Sequence, residues 1–544
     1  MNEVQQRYSE SLHDTQRRAG VMRTVLIAPI GLHSDITKRN NAVMEAAKDV
    51  ALFSSMGKPA TGILLSSVNA IVEYANNNHG LFPTDDMLAS AHQTWENLYE
   101  GNETLAAASA SHILLSSVGE ANLSSESGVA IRSVTAALTL PTILSNPMNV
   151  VCAYLPTRKH STEVFNMDRV AGSTLGDYTK GQVIDALTVG QYSRQRQRYN
   201  FATAQQPDGT KKQYIFTPKT DTPAKRDLPL REGSVVIRFN KRVVAKQHEE
   251  SGDIFGKIHI GETAFSVTGS VDQEKGIITV DTNAALPEDT ILTAQYEVKI
   301  EGNPDLIPTI SHKMSSFKLR PHARTLSSST SAMANFAMQV EFGVDLFSLD
   351  LSSVRNEMVN EKAKYQLVDL MDEVTEVDTF NAAVPADSGE TWKDRFEYFM
   401  AKLITLDTKM KALNKESGIK AVYAGTQFSA FLQMLPGSMF TRSDLHDEAS
   451  PRIHKIGTLL NRIQVFEVPM NDIVSADDAL LCGRTDKLGK APYYTGDVIP
   501  PTIYKHDKDN GLTKTQTVWA QGYDEASPDC WKYLIKVTLQ NFNQ

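Results

Sequence analysis

The chain has 544 residues, which is enough for about three or four domain-sized units. Its composition is that of an ordinary globular protein, with 41% apolar and 22% charged residues. Acidic residues outnumber basic ones by 64 to 55, and the formal charge of −9 argues against a dedicated nucleic-acid-binding protein.

The cysteine count bears on the cellular compartment of the protein, and the length of its apolar runs bears on whether it spans a membrane. Three cysteines are too few for a disulfide framework, which is typical of a protein kept in a reducing compartment. No apolar run approaches the roughly 20 residues that a membrane span needs. We therefore predict a soluble protein that does not contact a membrane.

The first part of the chain, residues 1–129, has mostly helical patterns. Thr84 is a good N-cap for a helix that begins with Asp85 and Asp86, because acidic residues in a first turn favour helix formation. The pattern changes near residue 130, where prolines interrupt it. The apolar run Met148–Tyr154 then predicts a buried strand.

The middle of the chain predicts β-structure. Residues 155–230 are polar and predict an extended excursion with little core of its own. From residue 292 to residue 300 apolar and polar residues alternate strictly, which predicts a strand with one buried and one wet face. Turn residues space several such strands between residues 229 and 303, so we predict an inserted all-β module there.

The last third of the chain mixes helices and strands. One long helix is predicted from an apolar stripe, whose members are Phe347, Leu351, Val354, Met358, Tyr365 and Val368. A second helix is predicted at 391–415, and strands are predicted at 419–424, 463–468 and 533–539. The fold class is therefore α+β.

No familiar arrangement of catalytic, cofactor-binding or metal-binding residues occurs in the sequence, and we predict no enzymatic activity, no cofactor and no metal. A calcium-like run at 507–511 has its glycine one residue early, so a polar turn is the better interpretation. Cys152 lies in an apolar run and is interpreted as a packing residue. His446, beside Asp447 and Glu448, is interpreted as part of a solvated loop.

The sharpest basic feature is a run of alternate arginines. In an extended chain Arg194, Arg196 and Arg198 project to one side, with Tyr192 and Tyr199 flanking them. Such a strip could contact phosphates, or it could meet an acidic surface of a neighbouring subunit. The acidic balance of the chain favours the second interpretation, so these arginines are candidate intersubunit contacts.

The order of these parts resembles that of the major capsid proteins of tailed bacteriophages, which have the Hong Kong ninety-seven (Johnson) fold, and the larger myovirus-type members in particular. The resemblance lies in five stretches at 138–158, 270–303, 307–362, 455–469 and 489–501. They include LTLPTILSNP, GIITV with the later AQYE, and KIGTLLNRIQVFEVP. One departure is Trp519–Tyr523, where related proteins often have Arg-Tyr-Gly.

The resemblance implies an α+β capsid fold with a helical N-terminal arm, an extended loop that carries the all-β module, a spine helix and an axial α/β domain. The implied domains are an arm at 1–129, a peripheral domain at 130–154 and 307–375, an extended loop at 155–306 with the β-insert at about 229–303, an axial domain at 376–505, and a C-terminal return to the peripheral domain at 506–544.

The resemblance also implies the function. The chain would self-assemble into hexamers and pentamers of an icosahedral phage head in the host cytoplasm, become part of the virion, and make non-specific contact with the enclosed double-stranded DNA. Its implied partners are further copies of itself and, in addition, a scaffolding protein, a portal, a prohead protease and a decoration protein. The sequence around Glu120 is similar to sites that such proteases cut, so Glu120 is a candidate maturation site.

Two other functions stay open. An encapsulin-like compartment would share the fold but enclose cargo proteins instead of a genome. An adhesin or carbohydrate-binding protein would use the β-module as its binding surface, which predicts aromatic side chains exposed on one face. Tyr296 falls on the predicted buried face of its strand, which counts against the adhesin.

Overall fold

The structure is a computed structural model. It describes residues 3–542 except for residues 79, 100–125, 157–161, 185–189, 250, 261–262, 343–345, 385–388, 444–451 and 506–512. The chain divides into two compact units. Unit 1 comprises residues 1–166 and 316–544, and unit 2 comprises residues 167–315.

Unit 1 begins with a module of helices around one apolar core. Asp35 caps the third helix. As predicted, Asp85 and Asp86 occupy the first turn of the sixth helix. A short π-helical turn at Arg23–Ile27 follows the first helix. The helices are α1 (Glu3–Met22), α2 (Ala28–Leu32), α3 (Ile36–Lys48), α4 (Ala51–Met56), α5 (Ala60–Asn77), α6 (Asp85–Tyr99) and α7 (Glu126–Ser145).

The predicted boundary at residue 130 does not coincide with a boundary in the packing. It lies inside α7, and Ala136 and Leu140 of that helix are buried in the same core as Leu64 and Trp95. The indole Nε1 of Trp95 also donates to the carbonyl oxygen of Ala136 at 2.9 Å. Helix α7 therefore belongs with the helices that precede it.

The strand predicted at 148–154 is shorter than expected. Residues Pro147–Val150 form a 3₁₀ turn, because the side chain of Asn146 accepts a hydrogen bond from the backbone N–H of Met148. Only Cys152–Tyr154 forms a strand, β1, and all three of its residues are buried.

Unit 2 is built on an eight-stranded antiparallel sheet. The chain enters it along β2 (Thr162–Ala171) and leaves along β11 (Ile310–Leu319), and these two strands pair with each other. The sheet has the order β3-β10-β5-β6-β7-β8-β9-β4. Its strands are β3 (Arg196–Asn200), β4 (Gln213–Phe216), β5 (Val236–Phe239), β6 (Arg242–Gln247), β7 (Ile254–Ile260), β8 (Thr263–Asp272), β9 (Ile277–Thr282) and β10 (Leu292–Glu297), and a short helix α8 (Pro218–Asp221) follows β4.

The prediction that residues 155–230 form an extended excursion with little core of its own is wrong, because this stretch is part of the core of unit 2. Strands β3 and β4 come from this stretch and complete the sheet that β5 to β10 begin. Its apolar side chains are buried in one cluster with those of the predicted β-module, and they include Leu175, Tyr178, Tyr192, Phe201, Tyr214, Phe216, Leu228 and Leu230. These apolar residues are widely spaced in a polar sequence, so no local pattern revealed that they share a core.

Strand β10 is confirmed, but its polar face is not wet. Leu292, Ala294 and Tyr296 are fully buried as predicted. Thr293 and Gln295 are only 7% and 5% exposed. The reason is that β10 lies between β3 and β5, whose long outward side chains cover its polar face.

The remainder of unit 1 contains two further sheets. One is four-stranded, with β19 parallel to β1 and the order β1-β19-β20-β12, and the other is seven-stranded, with the order β13-β21-β18-β14-β17-β16-β15. The elements are β12 (His322–Ser331), α9 (Ala332–Phe342), α10 (Leu346–Asp372), β13 (Val377–Asn381), α11 (Trp392–Asn414), β14 (Ile419–Ala424), α12 (Thr426–Gln433), β15 (Phe440–Arg442), β16 (His454–Leu459), β17 (Ile463–Glu467), β18 (Asp478–Gly483), β19 (Tyr493–Lys505), β20 (Thr513–Ala526) and β21 (Leu534–Gln540).

The predicted helix at 391–415 and the three predicted strands of this region are confirmed. Thr391 and Asp394 form a capping box at the start of α11, and Lys415 ends the helix in the left-handed conformation, with φ of 61°. The C-terminal segment contributes to both sheets, because β20 pairs with β12 and β19 whereas β21 lies between β13 and β18.

The long helix α10 is confirmed, but part of its predicted buried stripe is wrong. Met358 is buried, whereas Tyr365 and Val368 are 56% and 38% exposed. Leu367 and Leu370 are fully buried instead. The buried side of the helix changes along its length. Met358 packs against β20, whereas Leu367 and Leu370, in the second half of the helix, pack in a different cluster with β1, β14 and β18. The side chains of Phe347 and Leu351 lie outside the described part.

We expect Leu367→Ala to lower the free energy of unfolding of unit 1 by about 2–5 kcal/mol, because it removes a fully buried side chain and leaves a cavity. Tyr365→Ala on the same helix should change it by less than about 0.5 kcal/mol. Urea unfolding followed by circular dichroism measures both. An equal loss in the two variants would show that the exposed face of α10 is also packed.

Candidate functional site

The predicted arginine strip lies on unit 2. Arg196 and Arg198 belong to β3, Arg194 precedes that strand, and all three side chains are exposed. They line one open concavity of about 800 Å³, together with neighbours that include Gln295 and Glu297 of β10. Arg196 and Arg198 point to the same side of β3, because Gln197 between them is fully buried.

A fourth arginine, which the sequence analysis did not select, lies beside them. Arg238 of β5 donates from Nε to the side-chain oxygen of Gln295, and Arg198 donates from Nη2 to the same oxygen, each at 3.1 Å. Strand β10 separates β3 from β5, so only the sheet order brings the two guanidinium groups together. The sequence does contain a signal for Arg238. Apolar Val235, Ile237 and Phe239 alternate with other residues, which turns residue 238 away from the core.

These four residues, Arg194, Arg196, Arg198 and Arg238, form what we call the arginine face. Partial burial lowers the pKa of Arg238, and the positive charges of Arg198 and Arg196 lower it further. Glu297 is the carboxylate of the concavity, and its ion pair at 3.6 Å is with Arg231. In the part of the chain that the structure describes, no carboxylate forms an ion pair with a member of the arginine face.

The arginine face is thus a cluster of like charges held by a rigid sheet. Each guanidinium presents several N–H donors in a planar fork, which suits carboxylate or phosphate groups. Because the four groups repel one another, an anionic partner stabilises the cluster more than it would stabilise a single arginine. The arrangement can bind an anionic surface, and it offers no nucleophile or general base.

A second charged cluster lies inside unit 1. Lys362 of α10 and Arg324 of β12 contact Asp497 of β19 at 3.1 Å and 3.0 Å, and both lie 3.7 Å from Asp524 of β20. Gln366, one turn after Lys362, donates to Asp524 at 2.7 Å. Asp524 is only 2% exposed, so this cluster supports the fold and is not available to a ligand.

The two positive charges determine the protonation of Asp497. Burial alone would raise its pKa, but Lys362 and Arg324 outweigh burial and hold the pKa below the ordinary value of 3.8. Asp497 is therefore ionised at neutral pH.

Of the other residues that the sequence singled out, the structure describes Cys152. Cys152 is fully buried in an apolar cluster, and burial raises the pKa of its thiol, as expected for a packing residue. Glu120, the run at 507–511 and the segment with His446 lie outside the described residues. Across the described ranges, no group of three or more His, Cys, Asp or Glu side chains could hold a metal ion, and no helix is long and apolar enough to cross a membrane.

Comparison with known proteins gives three kinds of match. Residues 3–146, which end with α7, match a family described as a domain of unknown function, DUF8615. An Escherichia coli protein, Protein IncB, is 25% identical over 173 residues, which are 31% of this chain and 83% of that protein.

Solved structures give the third kind of match, and these are phage capsids. The capsid of Myoviridae phage XM1 is 8% identical over 54% of this chain and 88% of its own, with a TM-score of 0.28. The capsid of jumbo bacteriophage PhiKZ is 7% identical over 70% of both chains, with a TM-score of 0.29. Likenesses at TM-scores this low do not establish a shared fold, so we infer the function from the chain's own residues.

We expect Asp497→Asn to destabilise unit 1 by about 3–5 kcal/mol at neutral pH, because it leaves Lys362 and Arg324 facing a single carboxylate. A lowered pKa in the folded state contributes stability above pH 3.8, and that contribution is lost as the pH falls below this value. The difference in free energy of unfolding between wild type and the Asp497→Asn variant should therefore shrink below about pH 3.8.

Urea unfolding between pH 7 and pH 3 measures this difference. Asp486→Asn is the matched control, because it makes the same chemical change at an exposed aspartate. If the Asp497→Asn variant were as stable as the control at pH 7, the buried cluster would not be what fixes α10 to the sheet.

Proposed function

We propose that this chain is the major capsid protein of a tailed bacteriophage, and that its copies assemble into the hexamers and pentamers of an icosahedral head around double-stranded DNA. The observation that carries the proposal is the arginine face. A chain with a net charge of −9 holds three exposed arginines and the half-buried Arg238 together on a rigid sheet, which suits a contact with other acidic copies.

The position of unit 2 in the chain supports the same function. It is an insertion with its own core, and the chain enters and leaves it through the paired strands β2 and β11. Such a unit can reach a different copy while the rest of the chain folds independently. When one surface binds a different surface on the next copy, the contacts close into rings and shells.

Helix α9 supplies a further surface that favours assembly. Met333, Phe336 and Val340 recur at spacings of three and four, so they lie on one face of the helix. They are 71%, 69% and 67% exposed. Large apolar side chains clustered in this way are typical of protein–protein contacts.

The domains take the following roles in this proposal. The helical module is the N-terminal arm, the four-stranded sheet with α10 is the peripheral domain, unit 2 is the extended loop, and the seven-stranded sheet is the axial domain around the capsomer axis. Obligate interfaces of shells commonly bury more than about 2,000 Å² each. A scaffolding protein, a portal, a decoration protein and a prohead protease that cuts after Glu120 remain proposed partners.

The adhesin hypothesis has less support. Tyr296, Phe216, Tyr214 and Phe201 of unit 2 are buried in its core. Phe255 is exposed at 55%, but one phenylalanine is not the aromatic surface that stacking on sugar rings requires. An encapsulin-like shell would share the assembly contacts and would differ by enclosing cargo proteins.

Electron microscopy and light scattering of the purified full chain, over a range of salt concentrations, test the proposal. Closed shells or capsomer rings support it, and co-purified double-stranded DNA or cargo protein separates a phage head from an encapsulin-like compartment. A monomer of 60.0 kDa under every condition would contradict self-assembly.

We expect removal of unit 2 to abolish stable shells while unit 1 still folds. Replacing residues 173–308 by Asn-Gly should join β2 to β11 as a hairpin, because the N–H of Gly172 already donates to the carbonyl oxygen of Thr309 at 2.7 Å. A deletion limited to 229–303 is a poorer test, because it would leave β3 and β4 without neighbours.

Circular dichroism checks that unit 1 of this deletion variant unfolds cooperatively, and electron microscopy counts the shells. Shells that equal those of wild type in number and in resistance to urea would contradict the proposed role of unit 2 in holding copies together.

A further inference from the structure

We propose that the arginine face of one copy binds the exposed face of helix α10 on a second copy. This pairing rests on the proposed function, since it names the surface that the arginine face contacts during assembly. The face of α10 carries Glu357, Glu361, Tyr365, Val368 and Asp372, and we call it the acidic stripe.

The acidic stripe lies on one side of the helix and is open to solvent. Its members are separated by four, four, three and four residues, which places them on one face. All five side chains are exposed. Among the described residues no cation forms an ion pair with Glu357, Glu361 or Asp372.

The charges of the two surfaces are complementary. The acidic stripe has three carboxylates, and the half-exposed Lys364 at its flank reduces its net charge to about −2. The arginine face has four guanidinium groups, and Arg194, Arg196 and Arg198 share their concavity with a single carboxylate, Glu297, that already pairs with Arg231. Each surface thus lacks the charge that the other supplies.

The spacings of the two surfaces also agree. Alternate residues of a strand are about 6.7 Å apart, which is the spacing of the arginines along β3. Residues four apart on a helix are about 6 Å apart along its axis, which is the spacing of Glu357 and Glu361. The difference is small compared with the reach of an arginine side chain, so successive arginines can meet successive carboxylates.

Tyr365 and Val368 fit the same contact. They are the apolar members of the stripe, and their exposure is otherwise unexplained for side chains of this size. A guanidinium group stacks well on a tyrosine ring, and the aliphatic part of an arginine side chain packs on valine. An anionic polymer such as nucleic acid would match the arginines but would leave these two residues of α10 uncovered.

Charge exchange between two variants tests the pairing. Variant X carries Arg194→Glu, Arg196→Glu and Arg198→Glu, and variant Y carries Glu357→Lys, Glu361→Lys and Asp372→Lys. Each variant alone places like charges opposite each other, which should lower the amount of assembled protein by about tenfold or more at low salt. An equimolar mixture should recover assembly of rings with an even number of copies, such as hexamers, because X and Y can alternate there so that X binds Y and Y binds X.

Three controls accompany the mixture. Changing the exposed Lys212, Lys219 and Lys275 of unit 2 to glutamate alters the net charge by the same amount as variant X and should leave assembly nearly unchanged. Lys364→Ala removes a positive charge at the flank of the stripe and should not weaken assembly. A chain with all six reversals should assemble like the mixture, with light scattering and electron microscopy as the readouts.

Each outcome decides between the possibilities. If assembly recovers in the mixture, the two surfaces pair between copies. If assembly recovers only in the chain with six reversals, the two surfaces pair within one copy, which overturns the inference. No recovery in either case also overturns it, although the wild-type chain still assembles and the proposed function stands. If the wild-type chain does not assemble under any condition, the proposed function and this pairing both fail.

Discussion

The buried contact of Lys362 and Arg324 with Asp497 and Asp524 is the interaction on which unit 1 depends most. It joins α10 to three strands that come from distant parts of the sequence, β12, β19 and β20. Charged groups in an apolar interior are costly unless every partner is present, so only one position of α10 satisfies the cluster. That position also determines which face of the helix is exposed, and hence where the acidic stripe lies.

Unit 2 fixes its own charged surface by different means. The apolar side chains of β4 and β10 share one core, and Tyr199 of β3 packs against it. Pairing with β10 keeps Arg196 and Arg198 of β3 at the spacing of a strand. The side chain of Gln191 forms two hydrogen bonds with the backbone of Arg198, at 2.9 Å and 3.0 Å. These bonds occupy the outer edge of β3 and block addition of another strand there, so a partner meets the side chains and not the backbone.

Local patterns explain which elements could be predicted. The capping box of α11, the acidic first turn of α6 and the alternation along β10 are each written in a few neighbouring residues, and the structure confirms them. The single-sided arrangement of Arg194, Arg196 and Arg198 was predictable for the same reason. Strand geometry determines it for Arg196 and Arg198, which both lie on β3.

Non-local contacts explain what could not be predicted. Arg238 joins the arginine face only through the order of strands in the sheet, and the core of residues 155–230 depends on apolar residues that are far apart in the sequence. The exposed position of Tyr365 depends on a change of packing partner along α10, from β20 to the cluster around β1, β14 and β18. A helical pattern shows that one side is apolar but not which neighbour covers it.

The buried cluster around Asp497 and the exposed arginine face differ in how much water and salt weaken their ion pairs, and this difference suits their proposed roles. The buried cluster is largely shielded from water and salt, so its ion pairs, which join α10 to the sheet, are screened little. An exposed ion pair contributes only about 0–1 kcal/mol, and salt weakens it. In the proposed assembly, contacts between the arginine face and the acidic stripe would therefore be individually reversible. A misplaced copy could then leave a growing shell, whereas many such contacts would hold a closed shell together.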